Sequence, residues 1–150
     1  MNLSFQKRSR AAIVACFLGT WPAQASVGDR AALARGISLL EDDQGATRTL
    51  REQLDQTALS SGPQAAQFII RVEQQIYSLG ETFEKAFMHL GKPLYQGYKT
   101  QVCTQANDLI ATSHAMLRVL KTSGGSEIST DTFESFVAEL AAVKTDLRCF

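Results

Sequence analysis

Cysteine, proline and histidine are all scarce in this 150-residue chain, at three, three and two residues. No two cysteines are spaced Cys-x-x-Cys, which removes the thioredoxin-like, zinc-ribbon and c-type haem readings. No apolar run approaches the ~20 residues that a membrane-spanning helix needs, so membrane insertion is not expected. The polar–apolar alternation of a half-buried strand is missing, and no sheet is expected either. Charge of one sign is not in excess, with 15 basic and 15 acidic side chains. The only paired glycines, Gly124-Gly125, follow no strand, which leaves no phosphate-cradling loop.

What is present begins with Lys7, Arg8 and Arg10, the only charges ahead of an apolar stretch over 11–21 and the sequence Pro22-Ala23-Gln24-Ala25. A basic leader, a short apolar run and an A-x-A site predict a secretory signal over 1–25, cleaved before Ser26. The single domain over 26–150 is then periplasmic or secreted. A competing reading makes Cys16, after Ile13-Val14-Ala15, the acylated N-terminus of a lipoprotein. The apolar run continues past it through Phe17, Leu18 and Trp21, which favours ordinary cleavage. Cleavage would remove three positive charges and no negative ones, leaving 12 basic and 15 acidic side chains. A net negative charge argues against nucleic acid or anionic lipid as a partner.

Three breaks divide the remainder. Ser60-Ser61-Gly62-Pro63 and Gly91-Lys92-Pro93 each pair glycine with proline, the residues that end one helix and start the next. Ser123 to Thr130 forms the third, with Asp131 placed to cap the following helix and Glu134 to complete a capping box. Between the breaks the apolar spacing is helical. Ile69, Val72, Ile76, Leu79, Phe83, Ala86 and Leu90 recur at steps of three and four. So do Tyr95, Tyr98, Val102, Ala106, Leu109, Ser113, Met116 and Leu120, and then Phe133, Val137, Leu140, Lys144 and Leu147. In the first segment the stripe of Leu33, Ile37 and Leu40 is rotated from that of Leu50, Leu54 and Thr57. The acidic run Glu41-Asp42-Asp43 between them opposes a continuing helix dipole and predicts a kink or break near Asp43. Those acids lack the spaced oxygen ligands of a calcium loop.

These patterns predict an all-α, antiparallel, up-and-down four-helix bundle. Counting back from the first turn sets Leu54 opposite Ile69, Leu40 opposite Phe83 and Leu33 opposite Leu90. Cys103 and Cys149 lie equally far from the middle of the third break, near residue 126, and so reach the same level. A disulfide between them is expected, closing about 46 residues and contributing roughly 4 kcal/mol. No titratable thiol should then appear in the mature protein before reduction.

His89 and His114 sit about 28 Å apart along the second hairpin and cannot share a metal or a haem. His114 instead falls level with Glu139, and Asp108 with Lys144 and Thr145, as interhelical polar pairs. Glu81, Lys85 and His89 read as a solvated helix face. No nucleophile is spaced to be activated by a base, so no catalytic residue, metal or cofactor is assigned and no enzyme is expected.

The function that remains is binding to another protein, as an inhibitor, immunity-type protector, chaperone or assembly factor, with a homo-oligomer left open. The alternative is a small-molecule or cofactor binder with a ligand between the helices, near the small residues Ala106 and Ser113. The fourth helix is too short to cover the end of the second hairpin, where Phe83, Phe87, Met88, Leu94, Tyr95 and Tyr98 gather. That cluster is either the partner-binding patch or is covered by the Leu33 to Leu40 half of the first helix.

Overall fold

The computed structural model describes residues 23–56, 62–122 and 128–150. The charged and apolar parts of the expected signal, Cys16, and residues 57–61 and 123–127 of two of the breaks lie outside the described residues. The chain is all-helical, with no strand among the described residues. Its helices are α1 (Ala23–Asp42), α2 (Gln44–Gln56), α3 (Gly62–Met88), α4 (Tyr95–Thr122) and α5 (Asp131–Asp146). Only Asp43 separates α1 from α2, so the five helices of the described residues make four arms. None of the described helices is long and apolar enough to cross a membrane.

The break falls where the acids and the rotated stripe place it. The Asp43 N–H still donates to the Leu39 carbonyl, closing α1, while the Asp43 carbonyl already accepts from Ala46 N–H at 3.0 Å, opening α2. One residue thus belongs to both ladders, and the apolar face turns with it: Leu33 and Leu40 are buried before the break, Thr47, Leu50 and Leu54 after it. The Asp43 side chain turns inward, and its Oδ2 is buried without a hydrogen-bond partner among the described residues.

The other helix ends follow local chemistry. Pro63 sits in the first turn of α3, where its missing N–H costs nothing. Gly91, at φ 74°, takes the left-handed conformation that ends the turn after α3. At α5 the cap is Thr130 rather than Asp131, because the helix begins one residue earlier than the capping-box reading requires. Glu134 does not reach back to a backbone N–H; its carboxylate accepts from the Thr130 hydroxyl at 3.2 Å and pairs with Lys121 of α4. At the far end of α5, Arg148 N–H bonds the Thr145 carbonyl and Cys149 N–H the Lys144 carbonyl, with Arg148 left-handed at φ 55°. This is the Schellman arrangement, with arginine where glycine is usual.

That turn aims Cys149 at α4. Cys103 and Cys149 lie at disulfide distance, with Sγ–Sγ 1.99 Å and Cα–Cα 5.4 Å. The core runs the length of the bundle through Leu33, Ile69, Leu79, Phe83, Leu109, Met116, Leu120, Phe133, Leu140 and Leu147, all fully buried. Each such side chain stabilises the fold by roughly 1.5–3 kcal/mol relative to exposure. Ile128, ahead of α5, adds a buried residue from outside the helices.

Candidate functional site

The six residues expected at a partner surface do not share one environment. Phe83 and Tyr95 are core residues, Phe87 and Tyr98 are half-buried against the core, and only Met88 and Leu94 stay open, each 61% exposed. Phe83 and Tyr95 are buried because α1 lies over that end of α3 and α4. Gly36 is seated so close on the Phe83 ring that a Cβ there would stand 2.4 Å from Cε1. Arg30 places its guanidinium carbon 5.4 Å from the Phe87 ring centre, a cation–π contact. Asp29, near the start of α1, accepts from the Tyr95 hydroxyl at 2.5 Å and from Lys99 Nζ at 3.2 Å. Burial, and then the hydrogen bond and charge of Asp29, push the Tyr95 phenol well above its ordinary range, so it stays a donor. The spacing of α1 alone did not show this triad, because Asp29 reads as a surface residue near a helix start.

The histidines occupy separate places. His89 turns its Nδ1 to the Lys85 carbonyl at 2.7 Å on the exposed side of α3 and leans on Tyr98 with ring centres 4.8 Å apart and planes tilted by 41°. His114 makes no hydrogen bond or ion pair with Glu139; it sits beside Val137, Ala138 and Ala141 of α5. His114 and Ala138 line the same groove, and Glu139, the next residue, is turned ~100° away around its helix. The same offset replaces the expected Asp108–Lys144 pair by a bond from Lys144 Nζ to Asn107 Oδ1 at 2.5 Å. Among the described residues, no group of three or more His, Cys, Asp or Glu gathers to hold a metal.

Ala106 and Ser113, expected to border a cavity, are sealed in the core, and Ser113 Oγ is buried without a partner among the described residues. Two other surfaces stand out instead. The first is the outer face of α3, where Ile70, Tyr77 and Met88 are 49%, 69% and 61% exposed. At 3.6 residues per turn these three lie within about 20° of one another, on a line about 27 Å long. Sequence spacing could have found this line; the stronger buried seam on the opposite face masked it.

The second is a groove of about 450 Å³ between α4 and α5. Ile110, Leu117, Val137, Ala138 and Ala141 line it, with His114, Arg118, Lys121 and Glu134 as its polar groups. The two alanines leave the space open. Glu134 is committed to Lys121 and Thr130, and the Lys121 hydrogen bond holds its carboxyl below the ordinary range. Arg118 has no side-chain partner among the described residues.

These features define a helical bundle with a cysteine pair at disulfide distance, two open surfaces and no assembled catalytic group among the described residues. No family model, curated protein or solved structure matches the chain.

Proposed function

We propose that this chain is an exported, non-enzymatic helical bundle that binds another protein through the outer face of α3. The observation that carries this reading is the alignment of Ile70, Tyr77 and Met88. Three large apolar side chains exposed in one line on a helix whose other face is already buried suit an amphipathic segment of a partner lying alongside. Leu94 in the α3–α4 turn and the half-buried Phe87 and Tyr98 extend the apolar surface at the Met88 end. The basic leader and A-x-A site support export, as does the cysteine pair, since disulfides persist outside the cytoplasm.

The bundle is read as up and down. Arg51 of α2 pairs with Glu73 of α3, Gln105 of α4 bonds Ser78 of α3, and Lys144 of α5 bonds Asn107 of α4. Each pair joins residues at similar distances from the intervening turn, as antiparallel neighbours require. The Asp29 contacts set the start of α1 beside the start of α4, as expected of first and third arms.

Replacing Tyr77 and Met88 by serine tests the function. Both are exposed, so the melting temperature should stay within the small range of surface substitutions, while partner capture from the extracytoplasmic fraction should be lost. Capture undiminished by the double substitution would place the partner elsewhere.

A further inference from the structure

We infer that the groove between α4 and α5 binds a single-chain amphiphile with an anionic head group, such as a long-chain fatty-acid carboxylate. The site is independent of the α3 surface. Its shape comes from residue size. Along α5, Val137, Ala138 and Ala141 face Ile110, His114 and Leu117 of α4, and the two alanines offer no side chain to fill the gap. The resulting space, about 450 Å³, falls within the range of ligand sites, which are mostly apolar with a few placed polar groups.

Its ends are set by polar bonds between the same two helices. Lys121 with Glu134 stands at one end, and Lys144 with Asn107 lies beyond the other. From Ile110 to Lys121 the groove runs about 16 Å, the length of an extended chain of about 14 carbons. An aliphatic chain matches the mostly apolar lining of this trough better than a polar metabolite does.

Charge selects the head group. Among the described residues lining the groove, the only carboxylate is Glu134, which Lys121 neutralises. That leaves Arg118 as an uncompensated cation beside the apolar floor, with the imidazole of His114 one turn away on the same face of α4. A guanidinium presents paired N–H groups that match a carboxylate or phosphate geometrically. The expected net negative charge disfavours a charged lipid surface, which senses the whole molecule; a single head group senses the guanidinium beside it.

The test is calorimetric titration of the disulfide-intact, delipidated mature protein with sodium myristate below its micelle concentration. Tetradecyltrimethylammonium serves as the probe of inverted charge and octanoate as the short-chain probe. One myristate should bind per chain, at least tenfold more tightly than either probe. Arg118→Gln, at an exposed position, should remove the preference for the anionic head while leaving the circular dichroism unchanged. Ala138→Leu with Ala141→Leu should fill the trough and abolish binding of all three probes. Failure of myristate to bind, equal binding of the cationic probe, or unchanged binding in the filled variant would each overturn the assignment. So would self-association of the wild type that the filled variant loses, since the occupant would then be a second copy of this chain.

Discussion

A carboxyl group at a helix break meets two opposed demands. The break needs a residue that can close one ladder and open another, and Asp43 does so through its backbone. Its side chain, however, is carried inward, where burial pushes the carboxyl up from 3.8 to about 7. The folded state therefore holds the proton more tightly than the unfolded chain. The contribution of Asp43 to stability is fully present below pH ~4 and is lost as pH rises through about 7. Asp43→Asn keeps the shape and removes the titration. At pH 8 the variant should be more stable than the wild type by on the order of 2 kcal/mol, a figure discounted for partial solvent screening. The difference should shrink towards pH 4. Chemical denaturation at a series of pH values measures it, and a difference independent of pH would show that the carboxyl is solvated in the folded state.

Helices record their packing in which glycines they can replace. Alanine is favoured over glycine inside a helix by about 1 kcal/mol. At Gly80 of α3 a Cβ would meet nothing within 4 Å, so Gly80→Ala should raise stability by about that amount. At Gly36 of α1 the same Cβ would run into the fully buried Phe83 ring. Gly36→Ala should instead lower stability by roughly 1–3 kcal/mol, the usual cost of overpacking. Denaturation of the two variants side by side distinguishes them, and a stabilised Gly36→Ala would mean that α1 is not seated on Phe83. The sequence showed much at this scale. The seams of α3, α4 and α5, the break at Asp43 and the level of the two cysteines all follow from apolar spacing and turn residues, which are local. Direction around the helix axis was harder, as Ala138 in place of Glu139 shows. Phe136 and Val143 are buried on α5 although they lie off its main stripe, because a helix packed against two neighbours buries a wider face than one seam. The register of α1 was missed as well. Arg51 of α2 faces Glu73 close to the expected level, but Phe83 meets Gly36 rather than Leu40, a shift of four residues, or about one turn. A break displaces what precedes it by an amount that spacing alone does not encode. Of the candidate surfaces, neither the α3 line nor the α4–α5 groove was read, since both depend on which faces neighbours leave open.

For the molecule as a whole, the disulfide and the seat of α1 hold different parts. The Cys103–Cys149 link ties the last turn of the chain to α4 across a separation of 46 residues. Replacing both cysteines by alanine should cost up to about 4 kcal/mol, with strain in the native state reducing the figure. The loss should show first as faster amide hydrogen exchange in α5 than in α3. Exchange accelerated equally in both helices would mean that the bundle opens only as one unit. α1 carries no cysteine and is held instead by the seat of Gly36 on Phe83, the Asp29 bonds to Tyr95 and Lys99, and the Arg35–Asp146 ion pair. In switching proteins, packed elements can shift past one another by small translations or, more drastically, by a whole turn of about 5.4 Å. A one-turn jump of α1 in either direction would bring Ala32, Leu33, Leu39 or Leu40 onto the Phe83 ring, and each carries the Cβ that Gly36 lacks. The missing Cβ at Gly36 therefore opposes axial sliding of α1 past Phe83. Displacement of α1 would uncover Phe83 and Tyr95 together, since Gly36 sits on the one ring and Asp29 bonds the other.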